Sequence, residues 1–106
     1  MKTTTLDLDR LRAAAGAATA LLRTLGNEDR LLLLCELSQG ELNVGELAQR
    51  TGIVQPSLSQ QLGVLRAQEL VATRRDGKQI YYSVVDRRVL ELLKTLHRVF
   101  CNGAAR

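Results

Sequence analysis

A chain of 106 residues has room for one domain and one core. Its apolar fraction of 45% includes only 3% aromatics, which favours helix packed on helix over a sheet sandwich; the net charge of +4 attracts phosphate only where basic residues cluster. No apolar run approaches membrane-spanning length and MKTTTLDLDR lacks the hydrophobic centre of a signal peptide, so a cytoplasmic protein without a membrane partner is expected.

Residues 1–6 read as a disordered tail. From Asp7 onward Leu8, Leu11, Ala15, Ala18, Leu22 and Leu25 fall at steps of three and four, the seam of a helix that lies lengthwise on another helix. Asp7 and Asp9 oppose the positive end of its macrodipole, and Gly16 among the alanines narrows the seam. The seam suits a dimer contact and an intramolecular packing stripe equally. Gly26 ends this helix and Asn27 caps the next, where Leu31 to Leu34, Cys35 and Leu37 are apolar nearly all round. That second helix is expected to be central and buried, closing at Gly40.

Residues 44–68 have the pattern of a helix-turn-helix. Val44, Leu47 and Ala48 form one apolar stripe, Gly52 breaks it, and Leu58, Leu62 and Leu65 restart it, with Pro56 in the first turn of the second helix. Between those leucines lie Gln55, Ser57, Ser59, Gln60 and Gln61, with no carboxylate. Uncharged donor and acceptor groups of this kind suit the base edges of a DNA major groove, and the absence of acids avoids repulsion from phosphate. The plainer alternative is a Gln/Ser-rich solvent face.

The period then changes. Leu70 to Arg75 and Lys78 to Val85 are rich in β-branched and aromatic residues and are separated by Asp76-Gly77, a strong hairpin signal. Residues 70–85 are therefore expected to form a two-stranded wing with Ile80, Tyr82 and Val84 on one face and Tyr81 and Ser83 on the other. Arg74, Arg75 and Lys78 flank its tip, where they can reach phosphate. Asp86 caps a last helix over residues 86–102, whose apolar positions Val89, Leu90, Leu92, Leu93, Leu96, Val99 and Phe100 are too broad a stripe for one neighbour. A second subunit is implied.

The fold class expected is mainly α with a small β-hairpin: a winged helix-turn-helix of five helices and a two-stranded wing, in a single domain over residues 1–106. Two cysteines in a cytosolic chain are buried small hydrophobes or reactive thiols. Lys94, His97 and Arg98 precede Cys101 by one or two turns and should favour its thiolate against the helix dipole, whereas Cys35 in the LLLLC run should stay a shielded thiol. With one histidine, no evident carboxylate pair and no glycine-rich phosphate loop, no catalytic residue and no cofactor are expected, and an enzyme is the weakest reading.

The run QPSLSQQLGVLR followed by LVATRRDGKQIYYSV resembles the recognition helix and wing of the ArsR/SmtB family of winged-helix repressors, the similarity covering roughly residues 18–101. That resemblance implies a homodimer on an imperfect inverted repeat of double-stranded DNA, with the first and last helices at the dimer interface. The family's arsenic and cadmium ligands fall here on Asn43, Val44 and Gly45. Three of the four zinc ligands are replaced, by Arg88, Val99 and Asn102, leaving Asp86; no metal site is therefore expected. Cys35 and Cys101, with the GVLR and IYYS contexts, look like the branch holding the BigR/SqrR persulfide sensors and HlyU-type redox regulators. The resemblance implies that these cysteines sense reactive sulfur species and that a bridge between them releases the operator. Peroxide or a thiophilic metalloid such as As(III) is the alternative inducer, and a protein-interaction adaptor with little salt-dependent DNA affinity is the alternative class.

Overall fold

The computed structural model describes residues 7–101; the tail expected over residues 1–6 and the end of the last helix at residue 102 lie outside them. Leucine dominates the centre, where Leu33, Leu34, Leu47, Leu58, Leu62, Leu65, Leu70 and Val89 retain no more than 2% exposure. Among the described residues five helices and three strands supply these side chains: α1 (Leu8–Leu25), α2 (Glu28–Leu37), β1 (Leu42–Asn43), α3 (Val44–Thr51), α4 (Ser57–Ala67), β2 (Val71–Asp76), β3 (Gln79–Val84) and α5 (Arg87–Phe100).

Most helices begin where a side chain accepts from an otherwise unpaired N–H. Asp7 caps α1 by accepting from the Arg10 N–H at 3.2 Å, Asn27 caps α2 by accepting from Arg30 at 3.0 Å, and Asp86 caps α5 by accepting from Arg88 and Val89. Asn43 and Glu46 start α3 with a reciprocal capping box at 2.8 and 2.9 Å. Gly52, at φ +76°, turns the chain out of α3. At the end of α4 the Leu70 N–H reaches the Leu65 carbonyl and the Glu69 N–H reaches Arg66, a Schellman closure with Leu70 folded back onto Leu65. Glu69 takes the left-handed position, φ +62°, that glycine usually fills.

The sheet has one strand more than expected. β1 joins the edge of β3, giving the antiparallel order β1-β3-β2 with Leu42 opposite Tyr82. Two residues carry no alternation, so nothing local marks them as a strand. The hairpin turn lies one residue later than expected: Asp76 pairs with Gln79 and the loop is Gly77-Lys78, because the first loop position needs the left-handed conformation that Gly77 adopts at φ +65°. Tyr82 and Val84 pack against the core, as the alternation implied.

The α1 seam divides. Leu21, Thr24 and Leu25 are buried, while Leu8, Leu11 and Leu22 remain exposed along a helix about 27 Å long. α2 is central but not wholly covered, since Leu32 is exposed and Cys35 half-buried. On α5 only Val89 and Leu93 are buried, and Phe100 stands 74% exposed.

Asp86 also receives three hydrogen bonds from the Arg88 guanidinium, at 2.7, 3.1 and 3.3 Å, which hold its carboxyl below the usual aspartate range. Asp86→Ala should cost about 1 kcal/mol, read as a lower urea midpoint. Because the folded value is depressed, this contribution is complete above about pH 4 and fades as pH falls through the lower folded value, so the gap between parent and variant should close in acid.

Candidate functional site

The five amide and hydroxyl side chains expected to face DNA do not all point the same way. Ser57 and Gln61, four residues apart on α4, turn towards α2: the Ser57 hydroxyl donates to the Asp29 carboxylate at 3.0 Å, and the Gln61 carbonyl accepts from the Arg30 guanidinium at 2.9 Å. Arg30 also donates to the Thr24 carbonyl at 2.7 Å and to the Arg23 carbonyl at 3.4 Å, at the end of α1. One guanidinium thus joins α1, α2 and α4. Ser59 and Gln60 are exposed, and Gln55 is exposed while its side-chain carbonyl accepts from the Ser59 N–H at 3.0 Å, which starts α4. Gly63 is exposed one turn beyond Ser59 and Gln60, and a Cβ added there would meet no protein atom within 4 Å.

The wing separates its three basic residues as well. Arg74 makes a two-pronged ion pair with Glu41 at 2.8 and 2.9 Å and lies over the Tyr81 ring, 4.9 Å from its centre. Its hydrogen bonds hold the Glu41 carboxyl below the usual glutamate range. Arg74 therefore fastens the wing to the segment before β1. Arg75 and Lys78 are exposed around the loop. Asp29, Arg30, Glu41 and Gly63 are the residues that the sequence reading left without a role at the site. Only the glycine, a helix-weakening residue inside a good helical pattern, carried a local signal.

Both thiols line one apolar cleft between α2 and α5, about 350 Å³ in volume, walled by Leu31, Leu93, Leu96 and Phe100. Neither is oxidised: Cys35 is half-buried and Cys101 exposed. Burial pushes the Cys35 thiol up from its ordinary value, and the negative charge that Cys101 and Glu36 can carry adds to this. Lys94 and Arg98, expected to act on Cys101, line a second cleft that Cys35 also borders, and Leu93 and His97 line both.

A third groove, about 480 Å³, runs between α1 and α5 and is lined by Ala14, Ala17, Ala18, Leu21, Leu22 and Leu92, with Arg88 and Glu91 at its edge. Leu8 and Leu11 on α1 and Val99 and Phe100 on α5 are exposed apolar side chains outside this groove. Among the described residues no three His, Cys, Asp or Glu side chains gather as a metal site, and no helix is long and apolar enough to cross a membrane.

Residues 27–73, which span α2 to the start of the wing, match the family model described as bacterial regulatory protein, arsR family. The chain is 48% identical over 87 residues to the biofilm growth-associated repressor of Xylella fastidiosa, covering 82% of this chain and 76% of that protein. It is 36% identical over 103 residues to the transcriptional activator HlyU of Vibrio cholerae, covering 97% and 95%. The crystal structure of the transcriptional repressor BigR from Xylella fastidiosa superposes with a TM-score of 0.88 at 44% identity, over 91% of this chain and 98% of that one. With this winged helix-turn-helix fold, the chain belongs to the arsR family of bacterial regulatory proteins.

Proposed function

We propose that the chain is a homodimeric DNA-binding transcriptional repressor, and that a sulfur bridge between Cys35 and Cys101 releases it from an imperfect inverted repeat. The observation that carries this reading is the cleft shared by the two thiols, one of which sits on the helix that holds α4. Repression follows the Xylella fastidiosa repressor, the relative with the higher identity, in preference to the Vibrio cholerae activator.

Gln55, Ser59 and Gln60 are the base-reading set, and Ser57 and Gln61 hold the reading helix at its angle. Arg75 and Lys78 supply phosphate contacts. The exposed apolar surface of α1 and α5 is the dimer interface, which sets two identical readers roughly 34 Å apart, one turn of DNA. A cytoplasmic location accords with a chromosomal target.

The inducer is a reactive sulfur species. A persulfide R–S–SH transfers its terminal sulfur to one thiol: a new Cys–S–S–H forms, the carrier's S–S bond breaks, and R–SH departs with the thiol's proton. The second cysteine then attacks the sulfur bonded to Cβ of the first, closing Cys–S–S–Cys and expelling HS⁻. Where both thiols carry an added sulfur, attack by the terminal sulfur of one closes a trisulfide with the same leaving group. Each inserted sulfur extends the reach by roughly 2 Å beyond what a direct disulfide spans. The bridge ties α5 to α2 and so alters the spacing of the two readers.

Cys35→Ser and Cys101→Ser should each bind duplexes selected by the parent from a random library, with persulfide no longer weakening either. Mass spectrometry of parent protein treated with glutathione persulfide should show the internal bridge, and peroxide or arsenite should leave the DNA complex intact. Release by arsenite through both thiols would replace the proposed inducer. Gly63→Ala should raise the stability of the free protein by about 1 kcal/mol while weakening the DNA complex about tenfold, because the added methyl costs the fold nothing and obstructs the groove. Arg75→Ala and Lys78→Ala should each reduce the slope of log affinity against log salt by about one, and Arg74→Ala should leave that slope unchanged.

A further inference from the structure

Cys35 lines two clefts, one walled almost wholly by apolar side chains and shared with Cys101, the other mixed, with Leu90 and Leu93 beside polar and basic groups. The second, about 420 Å³, is large enough for a tripeptide-sized molecule. Lys94, His97 and Arg98 line one wall, Ser38 and Gln39 at the end of α2 line the other, and Cys35 borders the space between them. Of the negative groups nearby, Glu36 is paired with Arg50 at 3.4 Å, and Glu91 forms a loose, exposed pair with Lys94 at 4.0 Å that an incoming carboxylate has to displace. Lys94 keeps its ammonium open to solvent, with 76% of its side chain exposed. The carbonyl end of α2 carries partial negative charge towards this space, and up to three cations on α5 face it.

Resting on the two-thiol reading above, we infer that this cleft is a docking site for a small-thiol persulfide bearing carboxylates, which it delivers to Cys35. The carboxylates bind Lys94 and Arg98, and the hydroxyl and amide of Ser38 and Gln39 meet the carrier's peptide-like groups. Transfer is balanced as Cys35–SH + R–S–SH → Cys35–S–SH + R–SH. The bond between Cys35 and the terminal sulfur forms, the carrier's S–S bond breaks, and the departing sulfur leaves as the thiol. A half-buried thiol, kept protonated by its surroundings, reacts slowly with reagents that only collide with it. A carrier held beside it meets the rare thiolate far more often, and the cations stabilise the sulfur that leaves. Inorganic hydrodisulfide has no carboxylate and gains nothing from the cleft.

The test compares the rate of Cys35–Cys101 bridging by glutathione persulfide and by inorganic hydrodisulfide, in parent protein and in a Lys94→Gln/Arg98→Gln variant whose fold is checked by thermal unfolding. The variant should slow with glutathione persulfide by about five- to tenfold, the weight of two partly exposed charges, and should react with hydrodisulfide at the parent rate. Equal slowing with both donors, or no slowing, overturns the docking cleft and leaves the two-thiol switch standing. No bridge from either donor overturns both.

Discussion

The guanidinium of Arg30 is the joint on which the rest of the structure turns. It caps the carbonyls that end α1, sits at the start of α2, and holds the Gln61 side chain of α4. Beside it, Asp29 accepts from Ser57 and fixes the first turn of α4. Hydrogen bonds to charged groups are worth about 1.5–3 kcal/mol each, so these two contacts outweigh an ordinary surface polar contact and define the angle of α4 on α2. A change in the seat of α2 is passed to α4 through them.

The chemistry of the thiols gains its leverage from this arrangement. Cys35 lies on the same rigid rod as Asp29 and Arg30, and Cys101 directly follows α5, whose last turn leaves Val99 and Phe100 exposed. Coupling energies between sites are typically about 1–3 kcal/mol, the same size as one of the bonds from α2 to α4, so the proposed bridge would have only to disturb one such contact to change the seat of α4. Large rearrangement is unnecessary. The Arg74–Glu41 pair fastens the wing to the segment before β1.

Features with a local period were legible in the sequence. The leucine stripes of α3, α4 and α5, the alternation of Tyr82 and Val84, and the turn glycines Gly52 and Gly77 follow from residue spacing and backbone sterics, and the structure bears them out. What was hidden is pairing across distance. Asp29 reaches Ser57 over 28 residues, Arg30 reaches Gln61 over 31, and Arg74 reaches Glu41 over 33, none of which leaves a periodic trace. Those three contacts give Ser57, Gln61 and Arg74 partners within the fold. β1 escaped for the same reason, being a strand only through its partner β3. At the thiols, spacing gave no pairing; their meeting in one cleft came from the packing of α5 on α2.

The proposed switch requires the bridge between α2 and α5 to change the distance between two reading helices. Spin labels at position 67 of each subunit, exposed at the end of α4 and outside the base-reading set, read by pulsed electron resonance before and after bridge formation, measure that distance directly. Reduced protein should give a separation suited to successive major grooves, roughly 34 Å, and bridged protein a separation shifted away from it in step with the loss of DNA. An unchanged separation in fully bridged protein would contradict the account.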